Sequence, residues 1–327
     1  MNRILAVSFE LDAEAHAALR DAIAGTAQIV VLAGRDAGSR KAVLQQADVV
    51  LARHPAHELA PDEIAAIGKA QLIQLMTAGV DFIPIGDLPP GVPVASNAGA
   101  YSEPMAEHAL ALTLAAAKRL LIEHAALARG TFNQFTSNRM LAGMVCGILG
   151  YGGIGQATAR LMRGFGVMIH AINRSGTSSD PVDWIGTTQQ LDEFLAAADV
   201  LVISAPLTRA THGLINARAL ARMKDDAILV NLARGEIIDE AALFAHLQAH
   251  PNFTACIDAW WVEPVRHGAF RLDHPFMDLP NVIGSPHNSA SVRQTSATAL
   301  RMAGRNCHRQ LTGEKVLNLV RPQDRYL

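Results

Sequence analysis

Short apolar, β-branched runs alternate with Ala-rich amphipathic segments along most of the chain. That is the pattern of an α/β protein built on parallel sheets. In the first hundred residues strands are predicted at 3–9, 28–32, 48–52 and 71–76, separated by helices at about 12–24, 38–47 and 61–69. Pro89-Pro90-Gly91-Val92-Pro93 interrupts this rhythm. A long helical run is predicted from Pro104 to Arg119 and on toward Arg129. Pro104 suits its first turn, where no backbone N–H is needed. A second series opens at Met144, with strands at 144–149, 167–173, 199–204, 227–231 and 253–258 and helices near 154–164, 188–197, 216–222 and 239–249. The polar, turn-rich stretch 173–186 reads as a loop. One helix, at about 289–312, is left over after the second sheet, which implies that the chain returns to its first domain near the end.

A length of 327 residues fits two domains. Twenty-eight Lys+Arg against 30 Asp+Glu give a net charge of −2, with no basic block, so a nucleic-acid partner is not expected. Half the residues are hydrophobic, enough for substantial cores. Cys146, Cys256 and Cys307 are odd in number and widely spaced, and they read as buried thiols of a reducing compartment, with no disulfide or metal site expected. The first apolar run, 4–9, is short for a signal peptide, and no stretch reaches membrane-spanning length, so the expectation is a soluble, cytoplasmic protein.

Gly150-Tyr151-Gly152-Gly153-Ile154-Gly155 lies between a predicted strand and a predicted helix, the context that makes a glycine fingerprint informative. Gly150 permits the tight turn, Gly152 the approach of backbone to a pyrophosphate, and Gly155 close packing of helix on strand. Helix-start N–H groups then face the phosphates. Where an NAD site places Asp or Glu on the ribose, this chain has Asn173, Arg174 and Ser175. A carboxylate repels a 2′-phosphate, whereas these three can pair with it, so NADP is expected, with NAD the alternative should Asp180 or Asp183 reach the ribose.

Thirteen histidines make any single one uninformative. Three segments stand at predicted strand ends, where open α/β sheets bind ligands: Asn231 to Gly235, Asp258 to Pro264 and Ser285 to Asn288. Arg234, Glu263 and His287 from these segments suit hydride transfer to a 2-oxo acid. Arg234 would hold the substrate carboxylate with a forked pair of hydrogen bonds. His287 would carry the proton to and from oxygen, and Glu263 would fix the imidazole and favour its charged form.

The segments GYGGIG, PLTRATHGLI (from Pro206), NLARGEIIDEAAL (from Asn231), DAWWVEP (from Asp258) and HPFMDLPNVIGSPH (from His274) resemble the D-isomer-specific 2-hydroxyacid dehydrogenase family. TAGVD (from Thr77) and SNAGAYSEPMAEHALAL (from Ser96) resemble that family's substrate loop and first interdomain helix. The resemblance implies two Rossmann-like domains with doubly wound parallel sheets. A substrate domain, 1–98 plus 288–327, would enclose a dinucleotide-binding domain, 99–287, with hinges near 97–100 and 285–289. It further implies that Arg234, Glu263 and His287 are catalytic, that Asp258 meets the nicotinamide amide and that Pro206 walls the adenosine pocket. Ala78 and Gly79 would bind substrate carboxylate through backbone N–H groups, in an interdomain cleft that Tyr101 and Met76 also flank. The implied partner is a second copy, in a homodimer formed through the nucleotide-binding domain.

Departures from the family are Ala259-Trp260-Trp261 after Asp258 and Asn288-Ser289-Ala290-Ser291 after His287. Trp260 and Trp261 read as packing residues or a dimer contact, Asp239 as a helix cap, and Arg53 with His54 as a candidate second positive charge for substrate, weighed against an ordinary surface pair. The expected activity is reduction of a small 2-oxo acid, glyoxylate- or hydroxypyruvate-like, to the D-2-hydroxy acid. A dinucleotide-sensing, corepressor-like protein is one alternative. A dehydrogenase of formate or phosphite is another, although Glu263 stands where the formate branch typically has Gln.

Overall fold

A computed structural model describes residues 3–321. The chain divides into two compact units, residues 1–101 with 292–327 and residues 102–291. The divisions therefore fall at Tyr101/Ser102 and Ser291/Val292, where 98/99 and 287/288 were expected.

The first unit carries a five-stranded sheet. In chain order its elements are β1 (Ile4–Val7), α1 (Ala13–Ile23), β2 (Gln28–Val31), α2 (Ala37–Gln46), β3 (Val49–Ala52), α3 (Pro55–Glu58), α4 (Pro61–Ala66), β4 (Leu72–Leu75) and β5 (Val94–Ala95). Strand order is β2-β1-β3-β4-β5, with every pairing parallel. Alternation along the strands fills two cores. Leu5, Val7, Val49 and Leu51 face one side, and Ala6, Val50 and Ile73 face the other with Leu32 and Leu44. The first of these cores is completed from the far end of the chain by Ala299, Leu300, Ala303, Cys307 and Leu311, which lie within Thr295–Thr312. That returning helix approaches α1 closely, because a Cβ on Gly304 would lie 2.7 Å from Ala22 Cβ and 3.0 Å from Leu19 Cδ1. Each fully buried leucine in this seam contributes about 1.5–3 kcal/mol.

The second unit continues with α5 (Ser102–Ala117), α6 (Leu120–Ala128), β6 (Val145–Leu149), α7 (Gly153–Arg163), β7 (Met168–Ile172), β8 (Trp184–Gly186), α8 (Leu191–Ala197) and β9 (Val200–Ile203). It closes with α9 (Ala217–Leu220), β10 (Ile228–Asn231), α10 (Glu240–Ala249), β11 (Thr254–Ile257), α11 (Pro264–His267) and β12 (Val282–Gly284). The chain's last helix, α12, is the Thr295–Thr312 element of the first unit. The seven-stranded sheet runs β12-β11-β10-β9-β6-β7-β8, all parallel, so the order reverses between β6 and β9. A doubly wound sheet binds ligands outside the strand C-termini at such a switch point.

Four sequence expectations need correction. The stretch 173–186 is not all loop: Trp184–Gly186 pairs with β7, its indole lying near the rings of His170 and Phe194. The long helical run breaks at Arg119, whose φ of 53° ends α5 and restarts the chain as α6 without glycine or proline. The last helix begins at Thr295, six residues later than expected. Finally, Val94–Ala95 adds a short edge strand just after the Pro-rich interruption.

Candidate active site

The glycine turn has the geometry its sequence requires. Gly150 has φ of +103°, and a Cβ there would sit 2.3 Å from Ala205 N. A Cβ on Gly155 would meet Gly150 O at 2.6 Å and Ile148 Cγ2 at 2.9 Å, so α7 lies directly against the strand it follows. Around Gly152 there is open space, and this N-cap offers no side chain to the first-turn N–H groups of α7. A helix start left open in this way, at the switch point of a doubly wound sheet, fits a pyrophosphate. Gly153 and Ile154 belong to that first turn. Tyr151 is 5% exposed and its hydroxyl bonds Arg163, so what it can offer a nucleotide is backbone.

At the end of β7 the Asn173 side chain organises its own loop. Its Oδ1 accepts from Ser175 N at 3.1 Å and Gly176 N at 2.8 Å, and its Nδ2 donates to Thr177 O at 2.7 Å. Arg174 and Ser175 are exposed on that loop. Asp183, weighed as a ribose ligand, instead accepts the N–H of Ile169 at 2.7 Å, near the opposite end of β7. Pro206 lies in the turn after β9, where its carbonyl accepts from Thr211 Oγ1 at 2.7 Å.

The structure brings two of the three chemistry-bearing residues into direct contact and sets the third beside them. Arg234 follows β10. The next residue must be glycine, since a Cβ on Gly235 would lie 2.5 Å from Trp260 C and Trp261 N. This close backbone approach places the Arg234 charge near Glu263, while Arg234 Nη1 donates to Ala233 O at 2.7 Å. Glu263, 6% exposed, accepts the Trp260 N–H on Oε1 at 2.7 Å, and both of its oxygens lie 2.8 Å from His287 Nδ1. Burial alone would push the Glu263 carboxyl up. The hydrogen bond and charge of His287, the Trp260 N–H and the Arg234 charge outweigh burial and hold it below the usual carboxylate range. With Nδ1 bound to a carboxylate, the imidazole carries its fixed proton there and presents Nε2 for proton transfer.

Asp258 directly follows β11. It is fully buried, and its Oδ1 accepts from Ser285 Oγ at 2.6 Å and Asn288 N at 3.2 Å, its Oδ2 from Ser289 N at 3.3 Å. Its carbonyl accepts the His287 N–H at 2.9 Å. His287 itself sits at φ of 50°, a left-handed conformation that histidine adopts more readily than most residues. Trp260 and Trp261 are packing residues with satisfied indoles, bonding Ser285 O and Ile238 O, each at 2.8 Å. One neighbour escaped the sequence reading. His108 on α5 lies with its Nε2 3.0 Å from Ser285 Oγ and 3.7 Å from Asp258 Oδ1. Its signal was present in the sequence: Met105, His108 and Leu112 share one helical stripe, so a histidine interrupts a buried face.

The remaining substrate candidates belong to the first unit. The Tyr101 hydroxyl donates to Met76 O at 2.6 Å, and burial pushes its phenol up. Ala78 and Gly79 lie in the turn after β4. The Arg53 guanidinium lies over the Phe9 ring, 4.3 Å from its centre. Among the described residues no group of three or more His, Cys, Asp or Glu could hold a metal, and no helix is long and apolar enough to cross a membrane.

A doubly wound sheet with a glycine turn at its switch point, and a carboxylate-fixed histidine at a neighbouring strand end, defines a Rossmann-type dinucleotide-binding protein. Residues 110–289 match the profile described as D-isomer specific 2-hydroxyacid dehydrogenase, NAD binding domain, and the chain belongs to that family. It is 30% identical over 255 residues to the hydroxypyruvate reductase of Thermotoga maritima, an alignment covering 77% of this chain and 81% of that protein. It resembles the solved structure of a D-isomer specific 2-hydroxyacid dehydrogenase from Xanthobacter autotrophicus Py2 in complex with NADPH and MES, at a TM-score of 0.78 and 27% identity over 98% of this chain and 99% of that one. A Pyrobaculum aerophilum protein provisionally described as a formate dehydrogenase is similar at a TM-score of 0.82 and 29% identity, over 100% of both chains. The chain spans about half the length (52%) of the D-3-phosphoglycerate dehydrogenase of Methanocaldococcus jannaschii that it matches.

Proposed function

We propose that the protein is an NADP-preferring reductase of small 2-oxo acids, glyoxylate- or hydroxypyruvate-like, yielding the D-2-hydroxy acid. The observation that carries this reading is the His287 imidazole held at Nδ1 by Glu263, with the Arg234 charge beside it. When bound, the dinucleotide supplies the hydride. Gly150, Tyr151, Gly152, Gly153, Ile154 and Gly155 hold its phosphates, and Arg174 with Ser175 meets the ribose end. Arg234 holds the substrate carboxylate. His287 delivers the Nε2 proton to the carbonyl oxygen as carbon is reduced and accepts it in the reverse direction. Glu263 holds the Nδ1 hydrogen and the ring's orientation while Nε2 loses and regains its proton.

The resemblance to a hydroxypyruvate reductase supports the substrate class. Preference for NADP is supported by Asn173 at the end of β7, where a carboxylate would favour NAD, and by Asp183 being bonded elsewhere. Initial rates with NADPH and NADH across glyoxylate, hydroxypyruvate, phenylpyruvate and pyruvate, with formate and phosphite tested in the oxidative direction, decide the matter. NADPH oxidation by a 2-oxo acid is expected. Turnover of formate alone, or nucleotide binding without any turnover, would overturn the reading. Replacing Arg174 by Ala should raise the KM for NADPH about tenfold and leave that for NADH unchanged.

We also infer a homodimer through the nucleotide-binding unit. Leu120 (56% exposed), Leu121, Leu127, Phe132 (74%), Phe135 (92%) and Met140 are exposed apolar side chains on and after α6 that a monomer would leave in water. Light scattering coupled to size exclusion should give twice the chain mass, and a monomeric mass would refute this. Free, buried cysteines suit a reducing, cytoplasmic setting.

A further inference from the structure

We propose that His108 is a positioning residue for His287, acting through the Ser285 hydroxyl and the Asp258 carboxylate. The inference deepens the reading of His287 as acid and base and rests on it. Its starting point is proton counting. Ser285 Oγ donates its single hydrogen to Asp258 Oδ1 at 2.6 Å, so at the 3.0 Å contact with His108 it must accept. His108 Nε2 therefore carries a hydrogen. The histidine, hydroxyl and carboxylate form a directed chain, with His108 Nε2 also 3.7 Å from the carboxylate oxygen it helps to balance.

What the chain holds is the His287 turn. The Asp258 carboxylate takes the N–H groups of Asn288 and Ser289, and its carbonyl takes that of His287. Three consecutive amides thus converge on one buried aspartate, immediately around a residue at φ of 50°. A left-handed non-glycine conformation persists where its surroundings over-determine it. Here the determinant is a carboxylate with no exposure to water, whose side-chain neighbours are Ser285 and the partly buried His108. Trp260 also pins this segment, its Nε1 donating to Ser285 O. His108 thus acts on the imidazole of His287 from a separate helix.

The test compares His108→Ala, His108→Gln and Ser285→Ala in the full-length protein. His108→Ala should speed hydrogen exchange in the peptide spanning residues 287–289 while leaving the core strand Ile228–Asn231 as slow as in the wild type. Its kcat should fall about tenfold with little change in the KM for the 2-oxo acid. The glutamine side chain can place an N–H near Ser285 Oγ and should restore both readouts in large part. Ser285→Ala should reproduce the loss, and combining it with His108→Ala should add nothing further. Unchanged exchange and kcat in His108→Ala, failure of glutamine to rescue, or additive losses would each overturn the proposal. If His108→Ala does not fold, Ser285→Ala against wild type carries the same exchange comparison. Exchange is read without substrate, so absence of wild-type turnover would remove the function proposed above and leave this test standing.

Discussion

Glu263→Gln is an informative single change in this molecule, because it keeps volume and removes one charge and one acceptor. In the native site Oε1 serves the Trp260 N–H at 2.7 Å, and both oxygens stand 2.8 Å from His287 Nδ1. An amide has one oxygen. Directed at Trp260, it leaves an NH2 facing Nδ1, and a protonated Nδ1 then meets a donor. The ring is driven to the tautomer with its proton on Nε2, which cannot accept a proton in the oxidative direction. As an acid it is far weaker than the imidazolium. The opposite orientation sets NH2 against the Trp260 N–H, leaving a buried donor unsatisfied at about 1–3 kcal/mol. The Coulomb attraction of the native pair at 2.8 Å is about 6 kcal/mol at an effective dielectric constant of 20. His287 is about a third exposed, and screening together with the retained amide contact reduces the loss to about 2–4 kcal/mol. That corresponds to a kcat lower by about 30- to 1000-fold. The assay is initial-rate oxidation of NADPH at saturating 2-oxo acid, paired with a fluorescence titration of nucleotide. Nucleotide affinity should stay within about threefold, because the Gly150 turn is untouched. A kcat close to that of the wild type, or a loss confined to nucleotide binding, would refute the assignment of Glu263 as the partner of the acid–base histidine.

Gly150→Ala forces a Cβ to 2.3 Å from Ala205 N at a φ of +103°; it should destabilise the protein by at least about 1–3 kcal/mol and abolish nucleotide binding, and retained affinity at unchanged Tm would count against the turn as the phosphate cradle. Glu263 contributes to stability with a definite pH sign. Its folded-state carboxyl lies below the ordinary value, so its stabilisation is complete above about pH 4.5 and is lost as pH falls through the lower folded value. Urea unfolding should show the gap between wild type and Glu263→Gln shrinking as pH falls below that point; a gap that widens across the same acid range would reverse the sign. Cys146 and Cys256, pushed up to about 12 by burial, and Cys307, pushed up further, should resist thiol reagents until the protein is denatured. Rapid labelling of native protein would contradict their placement in the cores.

Much of the architecture was legible because parallel strands buried on both faces read as continuous apolar runs, and those around Leu51, Val202 and Val230 did so without ambiguity. The glycine turn was legible because steric need fixes its residues. Strand ends marked the candidate residues, since Arg234, Glu263 and His287 each follow such a run. Elements that depend on tertiary contact were hidden. Trp184–Gly186 is a strand because β7 lies beside it, within a segment whose composition favours turns. The break at Arg119 has no local marker, and the His108–Ser285–Asp258 chain joins residues up to 177 positions apart. Asp258 was visible as a candidate, but its role in holding the 285–289 segment emerges only from the hydrogen bonds that converge on it.

The account turns on proton transfer by His287, and the most direct measurement is the kcat of His287→Gln beside that of the wild type, both saturated with nucleotide and the same 2-oxo acid. A fall of about two to four orders of magnitude, with nucleotide affinity preserved, is the predicted result. Turnover undiminished in the variant would contradict it.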